Sequence, residues 1–126
     1  MTEIHDFSTP RNLYEKLVRD GQKLDIVVNG DNVFNFVSTA FHLQQWIKQS
    51  PLVSSEVVKR LLRKISRDEN VKHCQKIIQA KESFKLEIFD KGSKTIMHIG
   101  EEKLNVFDFR NRIIEIYENY FKSKGH

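Results

Sequence analysis

The stretch from Asn29 to Ser50, NGDNVFNFVSTAFHLQQWIKQS, has the most concentrated apolar and aromatic content in the chain. Its apolar side chains recur at helical spacing, which predicts a central helix with a wide buried face. Asn29-Gly30-Asp31 supplies the helix start and an N-cap, and Ser50-Pro51 ends the helix because the residue before a proline disfavours helical geometry. At about 1.5–3 kcal/mol per large buried side chain, this helix is expected to be the main source of core stability. The members of the buried face are Val33, Phe36, Val37, Ala40, Phe41, Leu43 and Ile47, with Phe34 and Trp46 beside them.

One helix is predicted before the central helix, and two more are predicted directly after it. Ser8-Thr9-Pro10 starts a first helix that runs to about Val28, although Gly21 weakens its interior and Leu24–Val28 could instead form a short strand. A serine at position 54 or 55 caps a third helix with a clean division between apolar and basic faces. Asp68 is placed to start a fourth helix.

The pattern then changes to the alternation that is typical of strands. Phe84, Leu86 and Ile88 alternate with Lys85, Glu87 and Phe89, and Thr95, Met97 and Ile99 recur at the same spacing of two, with turn residues Asp90–Ser93 between the two runs. A last helix is predicted from about Asn105 to Lys122. The expected fold is therefore a single α+β domain over residues 1–126, predominantly helical, with a bundle of about five helices and a β-hairpin inserted before the last helix.

Composition excludes several classes of protein. No run approaches the roughly 18 apolar residues of a membrane span, and the N-terminus MTEIHDFST does not resemble a secretory signal, so a cytoplasmic protein without membrane contact is expected. A single cysteine, Cys74, excludes an internal disulfide and a multi-thiolate metal site. The five histidines show no metal-ligand spacing, and no common nucleotide or hydrolase motif occurs, so no metal and no cofactor are expected. Ser38 and Thr39 in the central helix are expected to bond back to helix carbonyls.

Positive charge is concentrated in the second part of the chain. Residues 51–126 contain sixteen Lys/Arg against eleven Asp/Glu, whereas residues 1–50 contain five against six. A basic helix surface of this kind can hold nucleic acid through its phosphates, or it can simply keep the protein soluble. The candidate nucleic-acid-binding residues are Lys59, Arg60, Arg63, Lys64, Arg67, Lys72 and Lys76.

The segment Arg67-Asp68-Glu69-Asn70-Val71-Lys72-His73 lies in this region, at the junction of the third and fourth helices. A histidine can act as general acid or base on a ribose hydroxyl, while a guanidinium stabilises charge on the phosphate. The helical layout and the spacing of Arg67 and His73 resemble the HEPN (higher eukaryotes and prokaryotes nucleotide-binding) domains. Many of these are dimeric, metal-independent ribonucleases with such an Arg–His motif, and others bind without catalysis. The resemblance implies that Arg67 and His73 would be the catalytic residues of a ribonuclease.

Three functions remain open from the sequence. The favoured one is a non-enzymatic binding or regulatory module that holds RNA or another anionic partner on its basic helix face and forms a homodimer through exposed aromatic helix surface. The second is a metal-independent endoribonuclease of a toxin or phage-defence system, and this function requires His73 to be accessible. The third is a protein-interaction adaptor whose basic face serves only solvation.

Overall fold

Five α-helices and a three-stranded antiparallel sheet make up the parts of the chain that the computed structural model describes, residues 7–89 and 94–124. The predicted α+β fold, predominantly helical with strands before the last helix, is confirmed. A 3₁₀ turn at Pro51–Ser54 joins the second and third helices. In chain order the elements are α1 (Pro10–Ile26), α2 (Gly30–Gln49), α3 (Glu56–Arg67), α4 (Glu69–Ile78), β1 (Phe84–Phe89), β2 (Lys94–Ile99), β3 (Glu102–Asn105) and α5 (Val106–Lys124).

The helix starts follow the capping residues of the sequence. Thr9 forms a capping box at the start of α1, and the side chain of Asn29 accepts a hydrogen bond from the Asn32 amide at the start of α2. Ser55, rather than Ser54, caps α3. The helix continues to Ile26 and ends at the extended residue Val27, so the strand alternative for Leu24–Val28 is wrong.

Most of the predicted apolar stripe of α2 lies at the centre of the core, but Phe41 is only half-buried and Phe34 is exposed. α1, α3 and α4 pack against α2, and Phe36, Val37 and Leu43 have almost no exposed surface. The last helix, α5, closes the core because it contacts α1, α3, α4 and the strands β2 and β3. Its residues Ile113 and Tyr117 are fully buried.

Gly21 marks the place where α1 approaches α5 closely. A Cβ atom at this position would lie 3.0 Å from Ile114 Cδ1 and 3.2 Å from Arg110 Cδ. The Arg110 guanidinium donates to the Gly21 carbonyl at 3.1 Å and to Asp25 Oδ1 at 2.7 Å. The glycine that weakens the interior of α1 therefore allows α5 to pack against it.

The predicted hairpin is present and continues into a third strand. β1 and β2 pair antiparallel from Phe84 opposite Ile99 to Phe89 opposite Lys94, and β3 pairs with the other edge of β2. The residues before the last helix were expected to lead directly into that helix, and β3 was not predicted. α5 then starts at Val106, where the Asn105 side chain accepts hydrogen bonds from two amides of the first turn. The predicted turn at residues 90–93 lies outside the described residues.

A buried polar network links α1 to α2. The Thr39 hydroxyl donates to Asp20 Oδ2 at 2.6 Å, and Lys16 Nζ donates to the same carboxylate oxygen at 2.6 Å and to Thr39 Oγ1 at 3.0 Å. Asp20 is only 2% exposed and Thr39 only 4% exposed. The expectation that Thr39 bonds back to its own helix is wrong, because a buried carboxylate on α1 needs a donor more than the helix carbonyls do.

α4 ends in a left-handed residue that is not glycine. Ala80 has φ of +58°, and the Lys81 amide donates back to the Lys76 carbonyl at 2.8 Å. This geometry turns the chain towards β1, which places Glu82 next to α4. The left-handed conformation is normally supplied by glycine, because a Cβ atom strains it.

Replacing Thr39 by valine is expected to lower the free energy of unfolding by about 1–3 kcal/mol, because Asp20 loses one of its two close donors in a buried site. Urea unfolding followed by circular dichroism measures the change. Ser38→Ala is the matched control, since Ser38 is a half-buried neighbour whose hydroxyl makes no hydrogen bond to any described residue. An equal loss in both variants would contradict the role of the Asp20 network.

Ala80→Gly is expected to raise the free energy of unfolding by about 0.5–1 kcal/mol, because the left-handed strain is removed and only part of that gain is offset by the flexibility of glycine in the unfolded chain. Gln79→Gly is the control, since Gln79 has φ of −84° and no such strain to release, and it should be destabilising. Thermal unfolding of both variants provides the comparison. A less stable Ala80→Gly protein would rule out strain at this position.

Candidate nucleic-acid interface

The exposed face of α3 carries a row of basic side chains. They point outward because the opposite face of the helix is buried in the core. Val58, Leu61 and Ile65 are buried in the core with 6% exposure or less. The opposite side is exposed and basic, and its residues recur at spacings of three and four, which places them on one stripe. Lys64 and Arg67 also lie in the last turn, where the helix dipole favours cations. We refer to Arg60, Arg63, Lys64 and Arg67 as the basic stripe.

The seven predicted nucleic-acid-binding residues divide into two groups. The four residues of the basic stripe make no ion pair and no side-chain hydrogen bond with any residue in 7–89 or 94–124. The remaining three form ion pairs with acidic neighbours. The Nζ atom of Lys59 lies 4.0 Å from a carboxylate oxygen of Glu56, that of Lys72 lies 3.3 Å from Glu69, and that of Lys76 lies 3.6 Å from Glu82. The unneutralised charge is therefore concentrated on α3.

Asp68 follows the stripe directly in sequence but does not neutralise it. One carboxylate oxygen accepts hydrogen bonds from the Asn70 and Val71 amides and caps α4. The other oxygen lies 3.0 Å from Arg112 Nε on α5, and the side chain is only 8% exposed. Both oxygens are thus engaged by other groups of the protein, and Asp68 makes no ion pair with Arg67.

His73 lies in a different environment, inside the protein. It is 6% exposed. Its Nδ1 lies 3.0 Å from Glu82 Oε2, and its Nε2 lies 2.6 Å from Glu102 Oε2. Both ring nitrogens therefore lie within hydrogen-bond distance of a carboxylate. The cluster links α4 to the segment before β1 and to β3, and it leaves neither nitrogen free to act as a general base.

Arg67 and His73 belong to the same predicted motif, but their side chains do not interact. Arg67 is exposed at the end of α3, whereas His73 is buried in α4 between two glutamates, and no hydrogen bond or ion pair connects them within the part of the chain that is described. The catalytic pairing of these two residues stays a prediction, and the geometry does not favour it.

The glutamate partners of His73 were missed because they are distant in sequence, 9 and 29 residues away. The signal for Glu102 was weak but present. Met97 and Leu104 are register partners, as are Ile99 and Glu102, so Glu102 and Leu104 share the sheet face that carries the buried residues of β2. Extending the alternating pattern of β2 into residues 102–105 would have placed Glu102 on the side of α4.

The other buried group with reactive potential is inert. Cys74 has no exposed surface, and burial, followed by the negative charge of Asp68, raises the pKa of its thiol. Burial likewise raises the pKa of the Tyr117 hydroxyl on α5. A thiol that stays neutral is a poor nucleophile, so Cys74 acts as the small buried hydrophobe that its position in α4 predicts.

Of the clefts on the described part of the surface, three are prominent, and these three are lined neither by the basic stripe nor by His73. One of them, with a volume of about 900 Å³, is an apolar groove between the start of α1, the end of α2 and the end of α5. Trp46, Tyr120 and Phe121 line it. Among residues 7–89 and 94–124, no three His, Cys, Asp or Glu side chains are arranged to hold a metal ion. No helix within those ranges is both long and apolar enough to cross a bilayer.

The chain matches no protein-family model, no curated protein and no solved structure. The resemblance to the HEPN domains therefore stays a prediction that rests on the helical layout and on the spacing of Arg67 and His73.

Proposed function

We propose that this protein is a non-catalytic RNA-binding module that contacts the RNA backbone with the basic stripe of α3. The observation that carries the proposal is the set of four cationic side chains, aligned on one rigid helix face without an acidic partner among the described residues. Because Val58, Leu61 and Ile65 are buried beneath them, these charges are held in place before any partner arrives. Displacement of counterions from phosphates would then supply the binding free energy.

The composition of the stripe favours RNA among anionic partners. Three of its four members, Arg60, Arg63 and Arg67, are arginines. A guanidinium binds a phosphate with two parallel hydrogen bonds, and its flat face also stacks on unpaired bases, whereas a lysine offers only a point charge. Lys72 and Lys76 on α4 add two further positive charges, but each is partly neutralised by an ion pair with a glutamate.

Binding without cleavage fits the environment of His73 better than catalysis does. A general base needs a free ring nitrogen within reach of the ribose hydroxyl, but both nitrogens of His73 are engaged by Glu82 and Glu102. The ribonuclease function with Arg67 and His73 remains the alternative, since the exposed Arg67 could still stabilise a phosphate. The adaptor function is the outcome that remains if RNA does not bind.

The combined variant Arg60→Glu, Arg63→Glu, Lys64→Glu is expected to bind single-stranded RNA at least about tenfold more weakly than the unaltered protein at low salt, because three phosphate contacts become repulsive. Fluorescence anisotropy with a labelled RNA measures the dissociation constant. The matched control is Arg19→Glu, Lys94→Glu, Lys103→Glu, which changes the net charge equally at exposed residues of α1 and the sheet that make no ion pair with described residues.

An equal loss in both triple variants would mean that only the net charge matters, and undetectable binding by the unaltered protein would make the stripe a solvation feature. The same RNA incubated with the protein in EDTA should remain intact. Cleavage that disappears in both Arg67→Ala and His73→Ala would replace the proposal with the ribonuclease function.

A further inference from the structure

The sheet has two edge strands, β1 and β3, and the edge at β1 carries exposed apolar side chains. β1 pairs with β2 on one side, and no described residue pairs with its other side. α5 packs on β2 and β3, so the far end of β1 extends beyond the helical cover. Ile88 is 48% exposed and Phe89 is 46% exposed as a result. An edge strand with exposed apolar side chains is a template for pairing with another strand.

The two faces of β1 differ in chemistry. Phe84, Leu86 and Ile88 lie on the face that continues the buried residues Ile99, Met97 and Thr95 of β2. Lys85 and Glu87 lie on the opposite face, where Glu87 hydrogen-bonds His98 of the same sheet. The strand therefore presents an apolar inner face and an outer face that carries one charge of each sign, followed by the exposed Phe89 at its end.

We propose that a second copy of this chain adds to the β1 edge in the antiparallel direction, with a two-fold axis at Leu86, and that the two sheets join into one of six strands. In this register Leu86 faces the partner's Leu86, and Phe84 covers the exposed partner residue Ile88. Lys85 faces the partner's Glu87 on the outer face. Each of these pairs occurs twice or lies on the axis, as a two-fold symmetric interface requires.

The charges select this register over its neighbours. In a two-fold symmetric antiparallel pair, the residue at the centre, on the two-fold axis, always lies opposite the same residue of the partner. Moving the centre by one residue from Leu86 places like charges opposite each other. A centre at Glu87 would oppose two glutamates, and a centre at Lys85 would oppose two lysines. Only the centre at Leu86 makes both outer pairs attractive and keeps apolar residues together on the inner face.

This inference rests on the sheet and is independent of RNA binding by α3. Loss of the dimer would leave the proposed RNA-binding surface unchanged, and loss of RNA binding would leave the sheet edge unchanged. It also differs from a dimer through aromatic helix surface, because the pairing is made by backbone hydrogen bonds of a strand.

Cysteine cross-linking tests the register directly. Leu86→Cys is expected to form an intermolecular disulfide on mild oxidation, because directly opposed residues have Cβ atoms about 4.5–5.5 Å apart. Ile88→Cys is the matched control, since each copy's residue 88 would lie about 13 Å along the strand from that of its partner, too far for a disulfide. The natural Cys74 is buried and should not contribute.

Charge reversal tests the same pairing without a covalent bond. Lys85→Glu is expected to raise the dimer dissociation constant roughly tenfold in sedimentation experiments, because two attractive pairs become repulsive. Combining it with Glu87→Lys should restore the dimer. Lys103→Glu on the opposite edge of the sheet is the control and should leave the dimer unchanged, because Lys103 and Lys85 lie opposite the same residue, His98, on different edges.

A protein that stays monomeric at all accessible concentrations would overturn the proposal. So would a dimer whose dissociation constant is unchanged by Lys85→Glu, or one in which Ile88→Cys cross-links as well as Leu86→Cys. Circular dichroism of each variant distinguishes loss of the dimer from loss of the fold.

Discussion

Burial of the apolar stripe of α2 is the constraint on which the rest of this structure depends. Three helices take their positions from it, because each must place its own apolar side against the same surface. For α3 the consequence is electrostatic as well as structural. Once Val58, Leu61 and Ile65 face the core, helical geometry leaves the arginines no orientation other than outward.

The direction of the acidic side chains matters as much as that of the basic ones. Asp68 caps α4 and binds Arg112, and Glu82 binds His73 and lies near Lys76. Both acids lie close in sequence to the basic region, yet both are committed to contacts within the fold. The positive surface of α3 is thus produced by the placement of ion pairs and not by composition alone.

Local signals in the sequence were enough to predict the helices and their starts. Capping residues such as Asn29, Ser55 and Asp68 act over three or four residues, and the amphipathic pattern of α3 acts over its own length, so both can be read from a short window. The exposed basic stripe was predictable for the same reason. It needed only the knowledge of which side of α3 is apolar.

The side-chain contacts that were missed join residues that are distant in the chain. Thr39 meets Asp20 across two helices, and His73 meets Glu102 across the α4–sheet junction. β3 is only four residues long and was hidden because its pairing partner, β2, had already been assigned to a hairpin. Periodicity shows which face of an element is buried but does not show which polar side chain of another element will be found there.

Mapping of the RNA contact by nuclear magnetic resonance would test the central claim most directly. In ¹⁵N-labelled protein titrated with a short single-stranded RNA, the backbone and side-chain signals of Arg60, Arg63, Lys64 and Arg67 are predicted to shift together. Smaller shifts are predicted at Lys72 and Lys76, and none at the Trp46 indole in the apolar groove. Shifts centred on the groove or on the outer face of the sheet, with α3 unchanged, would contradict the assignment of α3 as the binding surface.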